Sequence, residues 1–127
     1  PTRRAAFDRV LVDAPCSGLG ALRRRPEARW RIRADGVVAL AALQRALLRA
    51  AAGTVRPGGI LVFSVCTLTR DETLGVDEWA AAELPDLVAL AVPGPRWRRW
   101  GRGALLLPHD AGTDGMFVLR LQRDPGR

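Results

Sequence analysis

Lysine is absent from this sequence, and all 20 of its basic residues are arginine. Alanine is abundant as well, so the total charge says less than the way it is distributed. Two cysteines and a single histidine cannot complete a four-ligand zinc site by themselves, which argues against a structural metal. No apolar stretch is both long and charge-free enough to cross a bilayer, and no signal peptide opens the chain. A cytoplasmic location is therefore expected, and the two cysteines read as free thiols rather than a staple. Methionine is nearly absent too: the only one is Met116, while the chain opens at Pro1 and enters a strand almost at once. It reads as the piece downstream of a missing N-terminal half.

What is present fits one domain. The 127 residues are 48% hydrophobic, enough for a single modest core and too apolar for disorder. The formal charge is +7, unevenly placed. Residues 1–33 carry nine arginines against three acids, residues 56–90 two against six, and residues 91–127 seven against three. Basic blocks flanking an acidic one suggest a positive face of the kind a nucleic-acid binder presents, against the plainer reading of a solvated surface.

The most informative stretch is residues 7–20. The apolar run Val10-Leu11-Val12 ends at a carboxylate, Asp13, and turns through Pro15 into a thiol, Cys16. The run is short, rich in valine and bounded by turn residues, so it reads as a buried strand over 7–14. Pro15 cannot donate to a sheet ladder and stops it, and Gly18 and Gly20 allow close backbone approach. A carboxylate and a thiol thus leave the C-terminal end of a strand, where open α/β sheets bind ligands. An inert buried cysteine beside a turn-forming Asp is the bland alternative.

A second thiol tips the balance. Residues 37–52 show helical spacing in Val37, Leu40, Leu43, Leu47 and Ala51, with Gln44, Arg45 and Arg49 on other faces. Asp35 or Gly36 can open this helix and Gly53 close it. A turn at Arg56-Pro57-Gly58-Gly59 precedes the strand Ile60–Cys66, whose unbroken apolarity implies burial on both faces. Strand, helix and strand make a βαβ unit. Its parallel strands end on the same side, so Cys16 and Cys66 are expected on one sheet edge and within reach of one cleft.

The remaining segments are read more coarsely. Residues 21–33 hold six arginines around Trp30, with Pro26 interrupting any helix; they suit an RNA backbone or an ordinary basic loop. Asp71-Glu72-Thr73 suits the first turn of a helix that ends before Pro85. Residues 93–103 form an irregular loop with Trp97 and Trp100 set among arginines, fit for base stacking or for simple packing. Leu105–Leu107 and Met116–Leu121 read as two closing strands. His109, between them, has a surface or structural role.

Asp-Ala-Pro-Cys-Ser-Gly-Leu-Gly at 13–20, followed by Leu-Arg-Arg-Arg-Pro-Glu-Ala-Arg-Trp at 22–30, resembles the fourth methyltransferase motif of the Sun/Fmu family of RNA cytosine-C5 methyltransferases. Residues 56–68 look like that family's sixth motif, and residues 106–117 like its closing segment. The resemblance implies an α/β fold, the C-terminal half of a Rossmann-like methyltransferase sheet with flanking helices and closing antiparallel strands. It also implies S-adenosylmethionine as methyl donor and cytosine in RNA, ribosomal RNA in particular, as substrate. By matching position, Cys66 is the nucleophile, Cys16 assists product release, Asp13 is a catalytic carboxylate beside the cofactor and the target base, and Pro15 lies beside the cofactor. Arg23, Arg24, Arg25 and Arg29 are the expected RNA contacts.

Two positions depart from the family's pattern: Val65 stands where Thr is usual, and Thr73 where Asn is common. The glycine-rich cofactor loop and the ribose-binding acid are expected upstream of Pro1. Residues 1–127 are accordingly expected to be a partial S-adenosylmethionine-dependent domain. The isolated piece should be inactive, bind the cofactor weakly or not at all, and self-associate through an exposed sheet edge. A cysteine phosphatase is excluded, because its loop needs Arg six positions after the nucleophile and Leu22 stands there. A non-catalytic RNA-binding module on the same scaffold is the alternative.

Overall fold

In the computed structural model, residues 4–126 are described. A single six-stranded sheet organises them. Strand β1 (Phe7–Asp13) lies parallel to β2 (Val55–Val65), with Val12 opposite Phe63 and Asp13 opposite Ser64. Between them runs helix α1 (Ala34–Ala52), which completes the βαβ unit. Helix α2 (Leu74–Glu83) follows β2, and all later pairing is antiparallel: β3 (Leu87–Ala89), β4 (Arg98–Trp100), β5 (Gly103–Leu106) and β6 (Met116–Arg123), with the one-turn α3 (Pro108–Ala111) before β6. The spatial order is β1-β2-β6-β5-β4, and β3 also pairs with β6.

The core lies on the face that α1 and α2 cover. Leu61, Phe63 and Val65 of β2 stand opposite Leu121, Leu119 and Phe117 of β6, and all six are fully buried. The alternate residues Ile60 and Val62 are only half-buried, and Leu11, level with Val62 on β1, is 67% exposed. The expected burial of β2 on both faces is therefore corrected, because the described residues supply helices to one face only. Helix α1 also turns a different stripe inward. Val37, Ala41, Gln44, Leu48 and Ala52 are buried, while Leu43 and Leu47 are 44% and 37% exposed. Both stripes keep helical spacing, so period alone could not choose between them.

Three further segments depart from the sequence reading. The Arg56–Gly59 turn is absorbed into β2 as an irregularity in the ladder, between the pairs Phe7–Val55 and Arg9–Ile60, with Gly58 at φ 79°. The Arg/Trp loop contains β4, joined to β5 by a tight turn at Gly101 (φ 59°) and Arg102. Asp77 of α2 pins that turn, accepting from the Arg102 backbone N–H at 2.8 Å and from its Nε at 2.7 Å. Helix α2 begins at Leu74, not Asp71, because Glu72 is drawn into the interior. His109 is exposed on α3, in keeping with a surface role.

Among the described residues, β1 has no partner on its outer edge, and Phe7 and Leu11 are exposed there. An unpaired edge with apolar side chains templates association. Sedimentation of the isolated 127-residue chain is expected to show self-association, and titration calorimetry little or no binding of S-adenosylmethionine. A monodisperse monomer that binds the cofactor tightly would refute both expectations.

Candidate active site

The parallel ladder fixes the site. After Asp13 pairs with Ser64, the Ala14 N–H donates to the Ser64 carbonyl at 3.0 Å and both strands end. Each chain then runs straight into a cysteine. The two sulfurs, Cys16 Sγ and Cys66 Sγ, lie 3.4 Å apart, half-buried and not bonded as a disulfide. They open on a cleft of about 560 Å³ lined also by Asp13, Pro15, Arg24 and Arg25. Burial, reinforced by the hydrogen bond with Cys66, pushes the Cys16 thiol up to about 12. Cys16 therefore keeps its proton at neutral pH.

Two glycines let three loops meet beside Cys66. The Gly20 N–H donates to the Cys66 carbonyl at 3.0 Å, and the Gly115 N–H donates to the Gly20 carbonyl at 2.7 Å. A Cβ at Gly20 would strike the Gly115 carbonyl and lie 2.9 Å from the Cys66 oxygen. Close approach, not an unusual φ, is what requires glycine at this position.

The basic segment forms one rim of the cleft. It folds as two short 3-10 turns, Leu19–Ala21 and Pro26–Trp30. Arg23 and Arg24 both bind the carboxylate of Asp114, which holds that carboxyl below its usual range. Among the described residues, Arg25 and Arg29 form no ion pair; the Arg29 guanidinium stacks 4.8 Å from the centre of the Trp30 ring, itself 79% exposed. In the Arg/Trp loop, Trp100 is tethered to α2 by its indole N–H, which donates to Thr73 Oγ1 at 3.0 Å. Thr73 thus has a definite partner at a position where the family's pattern differs.

Residues 2–122 match the family described as 16S rRNA methyltransferase RsmB/F. The chain belongs to that family. A putative methyltransferase of Mycobacterium tuberculosis is 49% identical over 121 residues, which cover 92% of this chain and 26% of that protein. Ribosomal RNA small subunit methyltransferase B of Thermus thermophilus is 41% identical over 117 residues, 91% of this chain and 29% of the relative. The crystal structure of NSun6 from Pyrococcus horikoshii with SFG, an analogue of S-adenosylmethionine, superposes with a TM-score of 0.76 at 30% identity, over 93% of this chain and 30% of that one. The chain thus spans between a quarter and a third of these relatives. The RsmB/F family consists of S-adenosylmethionine-dependent methyltransferases, and the mixed sheet seen here is theirs.

Within the RsmB/F fold, the structure adds residues that the sequence reading passed over. Gln44, read as facing outward, is fully buried, and its amide donates to the Pro15 carbonyl at 2.9 Å. Ser17 and Thr67 follow the two cysteines, and their hydroxyl oxygens lie 2.7 Å apart. Glu72, fully buried, accepts from both loops. One signal was available: a hydroxyl residue follows each cysteine, at the same spacing of 50 residues as the thiols.

Proposed function

We propose that the protein carrying this chain methylates C5 of a cytosine in ribosomal RNA through a covalent bond between Cys66 and C6 of the base. The observation that carries the reading is the pair of thiols at 3.4 Å in a cleft rimmed by arginines. C5 of cytosine is a weak nucleophile. When the Cys66 thiolate forms a bond to C6, the C5–C6 π pair moves onto C5, and the ring becomes an enamine-like nucleophile. After methylation the C5 proton passes to solvent in the open cleft, the C5–H pair restores the C5–C6 double bond, and the S–C6 bond breaks with its pair on the Cys66 sulfur. Cys16, 3.4 Å from Cys66, keeps its proton at neutral pH and can donate a hydrogen bond to the departing sulfur.

The residues present fit one wall of a cofactor site. Asp13 is exposed at the end of β1 with no ion pair among the described residues, and it shares the cleft with Pro15. A carboxylate there complements a cationic donor and can stabilise charge developing on the base. Bound, S-adenosylmethionine supplies an electrophilic methyl group on a sulfonium. Reaching C5 and C6 also requires an unstacked base, which the open cleft can receive.

Nucleoside mass spectrometry of ribosomal RNA incubated with the full-length protein and S-adenosylmethionine tests the reading. 5-Methylcytidine is expected. A methyl on another atom overturns it, and tight RNA binding without methylation assigns a binding module instead.

The arginines can be separated by salt. Arg23 and Arg24 are already paired with Asp114, so Arg25 and Arg29 are the better candidates for phosphate. Replacing both by Ala is expected to flatten the dependence of log affinity on log salt by roughly 1.4 for single-stranded RNA. Fluorescence anisotropy across a salt series measures it. An unchanged slope returns these side chains to a solvated surface.

A further inference from the structure

Beyond the last pair of the β1–β2 ladder, the two thiol-bearing loops need other ties to stay in register. One is the Gly20 N–H to the Cys66 carbonyl. The other gathers at a single carboxylate. Glu72 Oε1 accepts from the Ser17 N–H at 2.8 Å and from Gln44 Nε2 at 3.1 Å. Glu72 Oε2 lies 2.7 Å from Ser17 Oγ, 2.9 Å from Thr67 Oγ1 and 2.7 Å from Thr69 Oγ1. Ser17 Oγ and Thr67 Oγ1 also touch each other, so these two hydroxyls and Oε2 make three contacts with two protons among them. Two of the three are hydrogen bonds at any moment, and each of the three possible choices keeps Oε2 as an acceptor and connects both loops to it.

Glu72 has no arginine beside it among the described residues and is fully buried. Burial pushes its carboxyl up, but the hydrogen bonds from Thr69, Ser17 and Thr67 outweigh that and hold it below the usual range. A buried carboxylate without a cation is costly unless donors surround it. Here they do, and the donors are the residues that follow Cys16 and Cys66. Glu72 does not line the cleft, so it cannot touch a base or a cofactor there.

We propose that Glu72 is a positioning residue that sets the spacing of the two thiols, by holding Ser17 and Thr67 and through them Cys16 and Cys66. The spacing claim stands on contacts within this chain, and only its consequence for turnover rests on the proposed function. Two loops pinned next to their cysteines give the thiols a high effective concentration toward each other. Loosening them by about 1 Å costs about 100-fold in a reaction that needs both.

The test is a thiol–disulfide equilibrium in the full-length protein, with glutathione as probe and peptide mass spectrometry to identify the Cys16 and Cys66 peptides. In closing the pair, the two thiols give up their protons and two electrons. A sulfur–sulfur bond forms between them, and glutathione disulfide is reduced to two thiols. Glu72→Ala is expected to lower the closing constant about tenfold or more. Glu72→Gln, which keeps the volume but loses the charge, is expected to lower it less and to retain a native near-ultraviolet spectrum. In parallel, kcat for methyl transfer is expected to fall with RNA affinity unchanged. A wild-type closing constant in a folded variant overturns the proposal whatever happens to activity. So does failure of both variants to fold, which would make Glu72 a folding determinant. A lowered constant with kcat intact upholds the spacing and instead removes the thiols from the chemistry.

Discussion

Cys16→Ala in the full-length protein is expected to leave a covalent protein–RNA complex that survives denaturing electrophoresis, while Cys66→Ala gives neither complex nor turnover. Both sulfurs face the same cleft at 3.4 Å from each other, so proximity alone does not assign the roles. The proton does. A Cys16 thiol held up to about 12 by burial and by its hydrogen bond to Cys66 is a poor source of thiolate at neutral pH. It can still hydrogen-bond a departing sulfur at 3.4 Å. Losing Cys66 should reduce turnover by a factor on the order of 10⁶, the scale on which an enzyme that loses its nucleophile fails. Losing Cys16 should spare bond formation and stall the exit. An adduct in Cys66→Ala with none in Cys16→Ala would reverse the two roles. Adducts in neither would leave covalent catalysis without support.

The second large effect is expected at a residue with no side chain. In Gly20→Ala the new Cβ meets the Gly115 carbonyl and lies 2.9 Å from the Cys66 carbonyl. Both obstacles are backbone, so no rotamer change relieves the clash. Overpacking of this kind costs about 1–3 kcal/mol, and the upper end is expected because two chain segments must separate. One of the two crowded carbonyls is the Cys66 acceptor for the Gly20 N–H, so activity per folded molecule should fall about 100-fold. Urea denaturation and single-turnover methylation measure the two losses. Wild-type stability and rate together would mean that the contact between Gly20 and Gly115 yields freely.

Much of this site is legible in the chain. Strand β1, helix α1 and the Ile60–Val65 part of β2 follow from apolar patterning and from Pro15 and Gly53, while the glycine stretch before Ile60 proves to be part of the strand. The parallel pairing then brings Cys16 and Cys66 to one edge by topology. What period cannot supply is rotation about the helix axis. Gln44 looked like an outward polar residue, yet it faces the site because Pro15 and Glu72 offer its amide an acceptor each. Glu72 looked like a first-turn acid, and its burial depends on Ser17, a residue 55 positions away. Asp77 and Arg102 carry the same lesson, since a half-buried ion pair that pins a hairpin to a helix has no local pattern. Strand β3 went unread because three residues that borrow the edge of β6 show no alternation of their own.

Strand β6 has a consequence for how the chain is made. It pairs with β2 on one side and with β5 and β3 on the other, and it follows all of them in the sequence. At translation speeds of about 5–20 residues per second, the stretch between Val65 and Met116 takes roughly 3–10 s to synthesise. Throughout that interval the edge of β2, with Leu61, Phe63 and Val65 on one face, waits for the strand that will cover it. The ribosome's pace between residues 65 and 116 decides how long that edge stays open.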